Sequence, residues 1–189
     1  VGSEMCIRDS EYIDKVLYDW GMAMGPNAVG DLAGLDVGYK ARQERADLPE
    51  DPHFYRVADV LVEMGRYGQK TGKGMYLYDA GSRQPVVDPD VTAIIKTEAE
   101  RLGIEQRDIS EKEITERCIY ALVVEAARIL EDGIATRAGD IDTVWLNGYG
   151  FPRYRGGPMH YADSIGLERV LTTVRVFEEK FGSMHWKPP

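Results

Sequence analysis

The sequence predicts an all-α chain made of two tandem copies of one helical unit. Three observations carry that expectation. Apolar residues recur at spacings of three and four through most of the 189 residues. The phrase Gly-Pro-x4-Asp-x2-Gly-Leu occurs twice, as GPNAVGDLAGL from Gly25 to Leu35 and as GPMHYADSIGL from Gly157 to Leu167. Only Met75–Tyr78 has a run of strand-forming aromatics, so at most one short β-element is expected, near 75–78.

The elements follow in order. Residues 1–10, VGSEMCIRDS, lack the apolar core of a signal peptide and join abruptly to a helical pattern. They are expected to be a non-native scar or a disordered tail outside the fold. Ile13, Val16, Leu17 and Trp20 form one apolar face of a helix over 12–20. Pro26 suits the first turn of a short helix that Gly34 stops, and Asp36 is expected to cap a further helix to about Arg45. Leu48–Pro52 is a proline-punctuated loop, and 54–66 is helical again. Four glycines at 65, 68, 72 and 74 impose turns before Met75. A helix over 90–102 follows. Ser110 and Glu113 make a capping box for the longest helix. Its stretch CIYALVVEAARIL, Cys118–Leu130, is apolar nearly all round and is expected to be buried on several sides, with Gly133 as its end. Shorter helices at 138–147 and 157–165 precede a last one that ends near Gly182.

The repeat extends upstream, because Ile13-Asp14-Lys-Val16 precedes the first phrase and Ile141-Asp142-Thr-Val144 the second. The second gap is four residues longer, which accommodates Pro152-Arg-Tyr-Arg155. Each copy is therefore helix, glycine elbow, Gly-Pro helix and a longer helix. Duplicated helical units pack face to face about a pseudo-twofold axis. The first repeat is expected over 11–105 and the second over 106–189. Asp31 and Asp163 are expected to be partly buried and to accept backbone N–H groups at a neighbouring helix start.

Composition narrows function. Hydrophobic residues are 43% and charged residues 29%, an ordinary globular balance, and the net charge of −9 disfavours nucleic acid and anionic membrane as partners. No run is long and apolar enough to suggest a membrane span. Two cysteines, Cys6 and Cys118, do not make a disulfide framework. His53, His160 and His185 are too scattered for a metal site, and none is expected.

Catalytic motifs are also missing. GQKTGKG fails the phosphate-loop pattern, since Tyr67 and Gly74 stand where Gly and Ser or Thr belong. Gly148-Tyr-Gly150 fails the dinucleotide fingerprint at Arg153. Ser164 is not in a nucleophile elbow, and Cys118 is a packing residue. Glu125 needs a partner if buried, and a structural role is favoured for it over a site. His160 is best taken as surface or helix-capping. Arg66, Lys70 and Lys73 are expected to be a solvated loop, with a phosphate-bearing ligand as the alternative.

Three stretches together resemble the C-terminal region of 3-hydroxyacyl-CoA dehydrogenases. They are MGPNAVGDLAGLDVGYKAR, GRYGQKTGKGMYLYD, and EDGIATRAGDIDTVWLNGYGFPRYRGGPMHYADSIGL. The resemblance spans about residues 11–187 and is strongest to the multifunctional fatty-acid β-oxidation type, whose two C-terminal repeats imitate a dimer in one chain. It implies a fold like the C-terminal domain of 6-phosphogluconate dehydrogenase. It also implies an oxidoreductase of lipid metabolism in which an upstream domain binds NAD and carries the catalytic Ser, His and Glu. There the His, oriented by the Glu, removes the 3-hydroxyl proton while NAD+ takes the hydride. The family's Asn lies in a long helix ahead of the first Ile-Asp motif, and Glu116 stands at about that place in the second repeat. On this reading the chain is a fragment cut at both ends, without catalytic residues and inactive alone. Met24, Gly25 and Pro26 are expected to line the acyl-CoA pocket. NAD would be bound only by the upstream domain, a partner in cis. A bacterial cytoplasm is expected, with the peroxisome not excluded. The alternatives are a stand-alone helical binding or oligomerisation module, and an independent enzyme using Glu125 or His160 as base.

Overall fold

The computed structural model describes residues 10–44, 52–104 and 107–189; residues 1–9 of the expected scar and most of the Leu48–Pro52 loop lie outside them, and Ser10 belongs to a helix. The described residues form ten α-helices, two 3-10 turns and one two-stranded antiparallel sheet. They divide into two compact units, the described residues up to Leu17 with those of Met24–Ser110, and Tyr18–Ala23 with Glu111–Pro189.

In the first unit, α1 (Ser10–Trp20) buries Ile13, Val16 and Leu17 on one face, as their spacing requires. Helix α2 (Pro26–Ala33) starts at the proline, whose missing N–H costs nothing there. It ends where Gly34 turns to φ +99 and donates its N–H to the Gly30 carbonyl at 2.9 Å. Then come α3 (Leu35–Glu44), α4 (Pro52–Glu63), strands β1 (Tyr76–Leu77) and β2 (Val86–Val87), and α5 (Pro89–Arg101). Ala28, Val57, Leu61, Met75, Tyr76, Tyr78, Val91 and Ile95 form the core. Ion pairs stitch its rim, Arg42–Asp59 between α3 and α4 and Arg56–Glu98 at 3.1 Å between α4 and α5. Strand β1 lies in the stretch expected to be extended. Its partner β2 escapes sequence reasoning because Val86 and Val87 are only two residues and both exposed. Asp36 corrects another expectation. It lies inside the first turn of α3, and its carboxylate takes Lys70 and Lys40 instead of capping the backbone.

In the second unit, α6 (Glu111–Glu131) is followed by α7 (Ala138–Gly148), α8 (Pro158–Ile165), α9 (Leu167–Phe181) and the short α10 (Ser183–Trp186). Ile119, Tyr120, Val123 and Val124 of α6 join Phe151, Ala162, Val170, Val174, Phe177 and Trp186 in one core. Helix α6 is buried along much of its length, while Ala121 and Glu125 are exposed and open one stripe to solvent. Helix α10 was not anticipated; four residues carry no periodicity, and Trp186 anchors it edge-on to Phe177 at 4.8 Å.

Residues Tyr18–Ala23 take part in this second core. Trp20 meets Phe151 and Tyr161 edge-to-face at 5.5 and 5.2 Å, pairs worth about 0.5–1.5 kcal/mol each beyond burial. The four-residue insertion supplies the clasp. The Arg155 guanidinium lies 4.1 Å over the Trp20 ring, and Arg155 Nε and Tyr154 Oη both donate to the Trp20 carbonyl, at 3.3 and 3.0 Å. Within the same unit the Ala23 N–H donates to the Gly150 carbonyl at 3.1 Å.

Candidate functional site

The repeated Gly-Pro helices share one device that sequence analysis located without assigning it. A helix leaves its first N–H groups without internal partners. At α2, Asp14 fills that role from α1: Oδ1 accepts the Asn27 N–H at 2.9 Å and the Asn27 side-chain amide at 3.1 Å, and Oδ2 accepts the Ala28 N–H at 2.8 Å and the Tyr76 hydroxyl at 3.0 Å. At α8, Asp142 does the same from α7, its oxygens accepting the Met159 and His160 N–H groups at 2.8 and 3.1 Å. The glycine shared by the two copies makes room, because a Cβ on Gly25 or Gly157 would collide with that carboxylate. Gly157 is also at φ +99 and ψ 168, a conformation open essentially to glycine alone. The signal that points to this pair is the shared Ile-Asp-x-Val, in which the Asp recurs ahead of the Gly-Pro phrase in both copies.

This placement bears on Met24, Gly25 and Pro26. Gly25 is buried beneath Asp14, Pro26 is half-buried at the first helical position, and half-buried Met24 packs against the first unit's core. The N-terminus of α2 already holds an internal anion, so its N–H groups are not available to a ligand's phosphate.

The glycine-rich loop is occupied in the same way. Asp31, 1% exposed, accepts the Met75 N–H at 2.8 Å, the Tyr76 N–H at 2.9 Å and the Tyr78 hydroxyl at 3.0 Å. A side chain on Gly74 would strike the Asp31 carboxylate and one on Gly68 the Asp31 backbone carbonyl, so both glycines make room for Asp31. Burial pushes the Asp31 and Asp14 carboxyls above the ordinary carboxylate value, against the hydrogen bonds that hold them down. Burial also pushes the Tyr76 and Tyr78 hydroxyls up, with Asp14 and Asp31 adding to it. The three cations separate. Arg66 is buried, pairs with Asp88 at 2.6 Å and donates to the Gly74 carbonyl at 3.0 Å, Lys70 pairs with Asp36, and Lys73 is exposed. Arg66 therefore ties the loop to the start of α5, where Asp88 accepts the Asp90 N–H at 3.0 Å.

Asp31 and Asp163 differ from the expectation of like surroundings. Asp31 binds the N–H groups of a strand, not of a helix start, and Asp163 is exposed. Among the other candidates, Glu125 is exposed and lies 3.4 Å from Arg128, one turn along its helix. Glu116 faces Lys112 and Arg169 at 3.8 and 3.9 Å. His160 is exposed at the start of α8, and Cys118 is half-buried within α6. These side chains do not converge on a reacting centre. The described residues also do not fit a nicotinamide cofactor, whose cradle is a parallel sheet opening onto a glycine-rich helix start; the sheet here is a two-residue antiparallel pair.

Fold and site thus define a duplicated helical scaffold whose buried carboxylates fasten its own backbone. The chain belongs to the family of the 3-hydroxyacyl-CoA dehydrogenase C-terminal domain, whose sequence profile matches it twice, over residues 4–78 and 114–189. The Peroxisomal bifunctional enzyme of Danio rerio is 46% identical over 180 residues, covering 88% of this chain and 25% of that protein. The Fatty acid oxidation complex subunit alpha of Pseudomonas aeruginosa (strain LESB58) is 34% identical over 173 residues, 88% of this chain and 24% of that one. The chain spans about a quarter of the length of these relatives. Among solved structures, the dehydrogenase part of multifunctional enzyme 1 from C. elegans superposes with a TM-score of 0.68 at 28% identity, over 89% of this chain and 37% of that one. The 3-hydroxybutyryl-CoA dehydrogenase of Escherichia coli shares the fold, with a TM-score of 0.67 at 21% identity, over 98% of this chain and 54% of that one. No helix among the described residues is long and apolar enough to cross a membrane.

Proposed function

We propose that this chain is the helical, substrate-side part of an NAD-dependent L-3-hydroxyacyl-CoA dehydrogenase of fatty-acid β-oxidation, within a multifunctional hydratase/dehydrogenase. The observation that carries this reading is the double match to one family, together with the same Asp-on-Gly-Pro fastening in both copies. The repeats divide near residue 105, and their role is to imitate a dimer within one chain; the double match to one family supports that role. Hydride chemistry belongs to an NAD-binding domain in cis, and this chain alone does not turn over. Met24, Gly25 and Pro26 line one wall of the acyl-CoA pocket. Of the three, Met24 has the side chain to offer, while Gly25 and Pro26 hold the α2 start in place. Both the bacterial cytoplasm and the peroxisome are compatible with the relatives, and the greater identity to those named peroxisomal favours the peroxisome.

The test is a chimera in which this chain replaces the aligned quarter of the Danio rerio enzyme. It is expected to form NADH from a 3-hydroxyacyl-CoA, while the chain alone forms none. Met24→Glu in the chimera is expected to raise KM about tenfold with kcat kept, the signature of lost uniform binding. Turnover by the chain alone, or a folded chimera that does not turn over, would overturn the reading.

A further inference from the structure

Helix α2 is held from outside near both of its ends, and one residue of the glycine-rich hairpin reaches both holds. At the start of α2 each Asp14 oxygen takes two donors. Oδ1 accepts the Asn27 N–H and the Asn27 side-chain amide, and Oδ2 accepts the Ala28 N–H and the Tyr76 hydroxyl. In the last turn of α2, Asp31 Oδ2 accepts the Tyr76 backbone N–H at 2.9 Å. Tyr76 is 3% exposed, so water does not compete for either bond. Met24, directly ahead of Gly25, packs against the core cluster that contains Tyr76. The second unit keeps only the first of these holds. Asp142 accepts two N–H groups at the start of α8, and Asp163, at the place of Asp31, is exposed. The double hold thus belongs to the copy whose elbow carries Met24.

We propose that Asp14 and Tyr76 are positioning residues for acyl-CoA binding, which set where the Met24–Gly25–Pro26 elbow stands against the substrate. The inference rests on the function proposed above, in which that elbow lines the pocket. A carboxylate with two donors on each oxygen turns about its Cβ–Cγ bond only by breaking bonds at both, so the N–H groups it holds stay fixed. The Tyr76 hydroxyl is the one Asp14 donor from outside α2. It ties the start of α2 to the hairpin, and Asp31 ties the hairpin to the far end of the same helix. Loss of the hydroxyl leaves Oδ2 with one donor, and the elbow is freer to drift. At a binding wall, displacements of about 1 Å matter. Met24 would touch the substrate in ground state and transition state alike, so the loss falls on KM.

Steady-state kinetics on the chimera described above tests the role, with Asp142→Asn as the comparison. An asparagine at either position keeps the shape of the carboxylate but turns one acceptor into a donor that meets a backbone N–H. Asp14→Asn is expected to raise KM for the 3-hydroxyacyl-CoA about tenfold, with kcat kept within about twofold. Tyr76→Phe is expected to raise it about threefold in the same way. The double variant is expected to go no further than Asp14→Asn alone, because Tyr76 acts through Asp14. Asp142→Asn disturbs the equivalent helix start and is expected to leave KM unchanged. An unchanged KM for Tyr76→Phe, in a chimera that turns over, overturns the positioning role and leaves the proposed function standing. So does an equal rise from Asp142→Asn, which would mean general loosening of the scaffold. A folded chimera without turnover overturns the parent reading and this one together. Where Asp14→Asn does not fold, Tyr76→Phe, which removes a single oxygen atom, decides alone.

Discussion

Asp14 and Asp142 stand at one position of the repeat and do one job; Asp31 and Asp163 stand at another and have opposite surroundings. The first pair fastens the Gly-Pro helix in both units through two backbone N–H groups each. The second pair parts company because the first unit has a glycine-rich hairpin whose N–H groups need an acceptor, and Asp31 supplies it. Asp163 is exposed at the matching place. A sequence phrase therefore preserves two kinds of residue. Some maintain the unit itself, and others maintain a neighbour that one copy has and the other need not.

The sharpest way to break this comparison is at Asp31. Asp31→Ala leaves two buried backbone N–H groups and the Tyr78 hydroxyl without their acceptor. At about 1–3 kcal/mol for each unsatisfied buried group, the loss is expected to reach roughly 3–5 kcal/mol. Asp163→Ala is expected to change stability by less than about 0.5 kcal/mol, as for an ordinary surface substitution. Chemical denaturation of both variants checks the pair. Equal losses would mean that the two aspartates are equivalent after all.

How much of this was legible beforehand depends on what the residues contact. Helix starts and stops at Pro26, Gly34, Pro158 and Gly166 follow from local backbone chemistry, which a sequence displays directly. The two stop glycines even share a conformation, φ +99, ψ 117 and φ +96, ψ 116. The duplication was visible too, because its signal is the identity of residues at fixed offsets. The buried stripe of α6 was only half legible: periodicity says which residues are apolar, but not that Ala121 and Glu125 face water. The partners of the carboxylates were illegible, since Asp31 bonds residues 44 and 45 positions away. Local spacing suggested a helix start for it, and a distant strand won. Gly68 and Gly74 were legible as turn residues, but that the group they admit is the chain's own Asp31 was not.

A smaller effect separates the members of the equivalent pair. Asp14→Ala and Asp142→Ala each remove a cap from an eight-residue helix, at a cost of about 0.5–2 kcal/mol. Asp14 also accepts the Tyr76 hydroxyl and the Asn27 amide, so its loss is expected to be the larger by about 1 kcal/mol. Tyr76→Phe in the Asp14→Ala background is expected to recover part of that difference, because it removes the stranded hydroxyl. A double-mutant cycle with no coupling between positions 14 and 76 would place the extra cost elsewhere.

The smallest effect is in pH, and it opposes two acids of the same unit. Burial raises the folded pKa of Asp31 above its ordinary 3.8, so the folded chain holds that proton more tightly than the unfolded chain does. Stability from this group therefore grows as pH falls through its folded pKa toward 3.8, and is lost as pH rises through the same window. Asp36 runs the other way. The Lys70 hydrogen bond comes first among the causes that hold its carboxyl below 3.8, so its contribution is full above 3.8 and lost as pH falls through the folded pKa. The stability of the chain minus that of Asp31→Asn is expected to increase on acidification from about pH 7 to about pH 4. The same difference for Asp36→Asn is expected to stay flat over that range and fall at lower pH. Denaturant midpoints across a pH series read both slopes. An Asp31 difference that shrinks on acidification would mean that its three hydrogen bonds outweigh its burial, and that the hairpin binds this carboxylate as a charge.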